Sequence, residues 1–350
     1  MTSGKSRKIS HYKGALQFAF SITLTIIFLY IAFRNVDVDT VIKVVSGASW
    51  SWIAAFFFTL LFSHFLRAVR WKVILRSVKK DIAIKHLFGA LMIGYGVNCV
   101  VPRLGEVSRA IFLAKWEKLS RSSMFGAVIV ERVIDVIFLG LSVIISVYLW
   151  RQDLYASFPW LKSTLEIMLI LMIGVILFLI LAIKLKEKFY GLLIKFLERF
   201  FPAIAKKVGH IFTMLIEGFG SLKGIGNYSM TIILSVAIML FYALGAYVGF
   251  FTIGMQNILP VNFKMAWVLM SISGIGVVIP TPGAMGSYHA LAKSVLILFG
   301  FGEAVSFSYA FLTHIISYLM FIVLGLLSFV LLNKRHESLV KIVETGVEEI

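Results

Sequence analysis

Long apolar runs separated by short polar intervals make up most of the chain. Six of them, 15–33, 52–70, 121–150, 163–183, 229–254 and 304–332, are long enough to cross a bilayer. A helix rises 1.5 Å per residue, so about 20 residues cover about 30 Å of hydrocarbon. Two further runs, 82–101 and 264–279, end at a proline and continue into a shorter, glycine-containing segment. Proline removes a helical hydrogen bond and its ring clashes with the preceding turn, so each run is predicted to be a helix that stops. An all-α polytopic membrane fold follows. Composition agrees: 60% of the 350 residues are hydrophobic and the mean hydropathy is +0.94, more apolar surface than a soluble fold could cover.

Charge then orients the runs. With the N-terminus inside, segments 1–14, 67–121, 184–223 and 333–350 hold 27 of the 34 Lys and Arg, and the opposite loops hold five. Basic residues gather in cytoplasmic loops, so both termini are expected on the cytoplasmic side of a bacterial inner membrane. The formal charge of +17 is then a topology signal, and no nucleic-acid partner is implied. The asymmetry survives only if 82–118 enters and leaves on one side, because a full crossing would put Arg103, Arg109, Lys115, Lys118 and Arg121 outside. It is therefore predicted to be a re-entrant helical hairpin turning at Pro102–Gly105. Segment 264–300 must begin and end outside, and is predicted to be a second hairpin breaking at "PTPGAMG" (280–286).

The expected fold is six spanning helices plus two re-entrant hairpins in an inverted repeat, within a single membrane domain, 1–350. Residues 52–150 form the first repeat and 229–332 the second, with every direction reversed. Residues 184–228 are basic and amphipathic and read as cytoplasmic interfacial helices; 333–350 reads as a cytoplasmic tail. The two turns echo each other, "GYGVNCVVPRLG" (94–105) against "GIGVVIPTPG" (274–283). Opposed broken helices form the substrate sites of many transporters, and irregular backbone at membrane depth is tolerated only inside protein or around a cavity.

Few side chains can carry chemistry. Arg103, Glu106 and Arg109 follow the first break at three-residue spacing, which would put them on roughly one side of the returning helix. Ionisable groups at that depth are costly and mark a pathway by default. Arg103, helped by Arg109, could take a headgroup phosphate, for which guanidinium is well shaped; the alternative is that Glu106 neutralises an arginine and the group only pins the hairpin. Glu131, Arg132 and Asp135 read either as a self-neutralised structural triad or as a site where a carboxylate carries a proton or meets a cationic headgroup. Arg67 and Arg70, beside Trp71, read as snorkelling anchors. His64, His289 and His314 read as packing residues, with His289 set apart because it follows the second break. Cys99, the one cysteine, reads as a small apolar packing residue. No metal-ligand spacing, nucleotide fingerprint or catalytic triad is present, so no cofactor, metal or enzymatic activity is expected.

These residues resemble the membrane part of the lysylphosphatidylglycerol synthase/flippase family. The resemblance rests on "RAVRW" at 67–71, Asn98 with "VPRLGE" at 101–106, "ERVID" at 131–135 and "PTPGAMG" at 280–286, in family order through most of the chain. It implies a lipid-translocating membrane domain with Arg103, Glu106, Glu131, Arg132 and Asp135 on signature positions, and with Pro280, Pro282, Gly283 and Gly286 shaping the second turn. Two departures are Ala284, where the family commonly has glycine, and His289, where it has glutamate. The synthase domain does not follow the last span, so aminoacyl transfer is not expected. The leading expectation is a flippase-like transporter whose partner is an anionic membrane lipid, its headgroup held by Arg103, Glu106, Arg109 and Asn98. The alternatives are a membrane-embedded enzyme using Glu106, Glu131 or His289 as acid or base, and a membrane scaffold without transport.

Overall fold

The structure is a computed structural model describing residues 19–150 and 224–333, with a few positions between 159 and 174. Most of the expected 163–183 span, and most of the 184–228 interfacial segment and the tail from 334 on, lie outside the described residues. Every regular element among the described residues is a helix. Their order is α1 (Ala19–Phe33), α2 (Val38–Ser46), α3 (Trp50–Ile74), α4 (Ile84–Val100), α5 (Leu104–Glu117), α6 (Arg121–Leu149), α7 (Ile225–Thr252), α8 (Phe263–Val278), α9 (Ser287–Leu298) and α10 (Glu303–Leu332).

Among the described residues α3, α7 and α10 are long and apolar enough to cross a membrane, and a fourth span counts if α1 and α2 are taken as one broken helix. The chain is thus a multi-pass membrane protein, with fewer spans among the described residues than the six expected. Helix α2 was not foreseen. Asn35 takes a left-handed φ of 59°, the chain bends by 85°, and Asp37 restarts it by accepting the Asp39 N–H. Helix α6 runs 29 residues and carries Glu131, Arg132 and Asp135 in its middle.

Helices α4 and α8, 17 and 16 residues, would reach only about 24–26 Å at 1.5 Å per residue. Each stops where its proline segment begins, and the next helix folds back against it. The ideal Cβ position of Gly105 lies 1.9 Å from the Gly94 carbonyl oxygen, and that of Gly276 lies 2.7 Å from the Ser287 carbonyl oxygen. Both contacts join residues eleven apart, and both need glycine because any side chain would strike backbone.

The described residues fall into two compact units, one holding those up to Leu61 with Met92–Gly105 and Phe241–Phe329, the other Phe62–Leu91 with the described parts of 106–240 and of 330–333. The division does not follow the two sequence repeats: each unit draws on both. The first unit holds the tip of the first hairpin and all of the second. The second unit holds the arms of the first hairpin.

Candidate functional site

In the second unit the chain has buried a network of charge. Arg67 and Arg70 sit one turn apart on α3, and Glu131 and Asp135 one turn apart on α6, so each pair shares a helical face. Arg67 Nη2 donates to Glu131 Oε1 at 2.8 Å and also to Asp135. Arg70 pairs with Asp135 and lies 3.4 Å from Glu131 Oε1, while its other nitrogen donates to Ser235 Oγ of α7 at 2.9 Å. Arg109 on α5 donates to Glu131 Oε2 at 2.6 Å, its guanidinium 5.1 Å from the centre of the Trp71 ring. Arg70 and Glu131 are fully buried. Stranding one such ion costs several kcal/mol, so these side chains hold α3, α5, α6 and α7 in fixed register. Arg132 is the half-buried member, 3.6 Å from Asp135 and 3.9 Å from both Glu106 and Glu131.

At the far end of α5, Glu117 closes the base of the first hairpin. It accepts from Lys79 Nζ and the Ala83 N–H and meets His86 Nδ1 at 2.6 Å. Burial raises the affinity of this carboxyl for a proton, but the three partners outweigh it and hold Glu117 below the usual carboxylate range.

In the first unit the two turns meet. The Cβ position of Gly283 is 3.4 Å from the Cα of Cys99 and 2.6 Å from the Tyr318 ring. Tyr318 donates its hydroxyl to the Cys99 carbonyl at 2.9 Å, satisfying one of the acceptors that the end of α4 leaves open. Asn98 Oδ1 accepts the Gly105 N–H at 2.7 Å, which caps α5 from seven residues upstream. Across the second turn Ser287 Oγ donates to the Gly276 carbonyl at 2.7 Å and meets Thr281 Oγ1 at 3.1 Å. Each turn also has a non-glycine residue in the left-handed region, Arg103 at φ 65° and Ala284 at φ 61°, a conformation that costs about 1–2 kcal/mol. Arg103 is exposed and makes no ion pair among the described residues.

The residues singled out from sequence therefore separate. Arg103 is in the turn, so the expected shared face with Glu106 and Arg109 does not form: Arg109 is 2% exposed and turned to Glu131, and Glu106 reaches toward Arg132. Arg67 and Arg70 are not snorkelling anchors but buried members of the network, and Trp71 is fully buried rather than interfacial. The signal was present: two arginines three apart on one apolar helix match two carboxylates four apart on another. Pro280, Pro282, Gly283 and Gly286 form the second turn, and His289 lies buried one turn beyond it. Among the described residues no group of three or more His, Cys, Asp or Glu could hold a metal.

Sequence comparisons find relatives over most of the chain. The model of the lysylphosphatidylglycerol synthase transmembrane region matches residues 16–325, which include both hairpins and the buried network. A UPF0104 membrane protein of Methanocaldococcus jannaschii is 27% identical over 343 residues, covering 91% of this chain and 96% of that protein. A UPF0104 membrane protein of Methanothermobacter thermautotrophicus is 35% identical over 91 residues, 24% of this chain and 27% of that protein.

Proposed function

Because the chain belongs to the lysylphosphatidylglycerol synthase transmembrane family, we propose that it is a flippase-like transporter of an anionic phospholipid or other anionic lipid-linked molecule. The observation that carries this reading is Arg103. An exposed arginine held in a strained left-handed turn, with no carboxylate paired to it among the described residues, is kept at a cost that packing does not repay. Its guanidinium is shaped to grip a phosphate by two parallel hydrogen bonds. The contact between Gly283 and Cys99 puts the second turn beside this one, as expected if both hairpins dip into the membrane and line one site.

In this reading α4–α5 and α8–α9 are re-entrant, the lipid tails stay in the bilayer, and only the headgroup visits the turns. Asn98 sets the shape of the turn that presents Arg103. Arg109, Glu131, Arg132 and Asp135 hold the arm of that hairpin, with Arg132 and Glu106 as its half-buried polar edge. The excess of Lys and Arg in the loops supports a reading with both termini on the cytoplasmic side of the cell membrane. The chemistry asked of the protein is binding and release, so no cofactor enters.

The test is reconstitution of the full chain into vesicles holding headgroup-labelled phosphatidylglycerol. The wild type is expected to move label between leaflets faster than empty vesicles, and Arg103→Ala to lose that gain. Equal rates for the two proteins, or none above empty vesicles, would overturn the reading. A chemically altered lipid recovered from the same vesicles would point instead to an enzyme.

A further inference from the structure

Behind the second turn lies a pair of imidazoles that the headgroup reading leaves without a role. His289 of α9 and His314 of α10 have ring centres 4.6 Å apart. His289 is 4% exposed, and its Nδ1 accepts the Gly286 N–H at 3.3 Å. The Nε2 of His314 is buried with no hydrogen-bond partner among the described residues. The groups around the pair leave it uncompensated. On α9, the Tyr288 hydroxyl is spent on Thr313, and Lys293 is held by the Ala32 and Arg34 carbonyls and by Glu303. On α10, Tyr309 donates to the Ala246 carbonyl and Tyr318 to Cys99 of α4. Among the described residues no carboxylate is in ion-pair reach of either ring.

Two imidazoles this close interact through charge, so a proton on either ring opposes a second on the other. A proton placed on Nδ1 of His289 would also have a structural effect. That nitrogen now accepts the Gly286 N–H; once protonated it can only donate, so the bond that ties the second turn to α9 is lost. Gly286 is seated against α1, its Cβ position 2.9 Å from backbone atoms of Thr25 and Leu29. The other ring leads to the junction of the turns, since His314 lies 5.9 Å from the ring of Tyr318, the residue that touches both Cys99 and Gly283.

Resting on the transport reading above, we propose that His289 and His314 together form a one-proton site, and that its occupancy couples the movement of the lipid to the proton gradient. The imidazole nitrogen takes the proton from water on one side and returns it to water on the other, so no further reactant is needed. One proton per lipid makes a step of about one pH unit worth about tenfold in the distribution of lipid between leaflets.

The experiment uses the full chain in phosphatidylcholine vesicles with a trace of headgroup-labelled phosphatidylglycerol, a pH-sensitive dye inside and an imposed step of about one pH unit. The wild type should shift the leaflet distribution of label by up to about tenfold, with dye-reported proton movement tracking it. His289→Gln and His314→Gln, each checked for folding by gel filtration and unfolding temperature, should lose both. A wild type that moves label with no response to the step overturns the proton site and leaves transport standing. A wild type that moves no label overturns the transport reading and, with it, the coupling; NMR of isotope-labelled histidine in detergent then judges the proton site alone. Two rings titrating as a coupled pair, uncoupled by either substitution, would retain it, and rings that titrate independently or not at all would overturn it.

Discussion

The two hairpins solve one problem with their parts exchanged. In the first, glycine is on the returning arm and the polar fastener on the outgoing one: Asn98 accepts from Gly105. In the second, glycine is on the outgoing arm and the fastener returns: Ser287 donates to the Gly276 carbonyl. The anchoring of the returning arms differs more sharply. Helix α5 is held by Arg109 on the buried carboxylate Glu131, which also serves Arg67 and Arg70. Helix α9 is held by Lys293 on two backbone carbonyls and on Glu303, which is 40% exposed. A break in a helix can thus be closed in either sense, while the way its arm is fixed decides how much charge must be buried.

The largest expected effect lies in that difference. Glu131→Ala would remove the carboxylate shared by Arg67, Arg70 and Arg109 and leave Asp135 alone against the buried positive charge, and thermal unfolding in detergent should show a loss of about 3–5 kcal/mol. Lys293→Met, which keeps the volume and strands no buried ion, should cost less than half as much. Similar losses for the two would erase the contrast between the arms.

Next come the two closing glycines. Gly105→Ala and Gly276→Ala should each destabilise the protein by about 1–3 kcal/mol. Gly105→Ala should be the worse, since its methyl would meet the Gly94 carbonyl oxygen at 1.9 Å against 2.7 Å for Gly276→Ala. The reverse order of unfolding temperatures would mean that the arms of the first hairpin separate more easily than their packing implies. The smallest effect is a gain. Ala284 sits at φ 61°, where glycine is at ease, so Ala284→Gly should raise stability by about 1 kcal/mol or less; a fall in unfolding temperature would show that the alanine methyl packs usefully in the turn.

What the sequence revealed follows the same physical line. Apolar length and proline are local signals, so α3, α6, α7, α10 and both hairpins were legible to within a few residues. Helix α2 was not, because nine residues around an apolar stripe read as a loop between spans. Periodicity assigns a side chain to a face of its helix but never names the face opposite. Arg67 and Arg70 therefore looked like anchors at the membrane surface until Glu131 and Asp135 were brought against them. For the same reason Asn98 was legible as a special residue but not as a cap, since the N–H it serves is seven positions away. The left-handed backbone at Arg103, on which the functional reading turns, leaves no mark in composition or periodicity.

That strain supplies the most direct test of the central claim. Glycine accepts φ 65° without cost, so Arg103→Gly should keep or raise the unfolding temperature while lipid movement in vesicles falls to the level of empty membranes. A stable Arg103→Gly protein that still moves labelled phosphatidylglycerol at the wild-type rate would contradict the account.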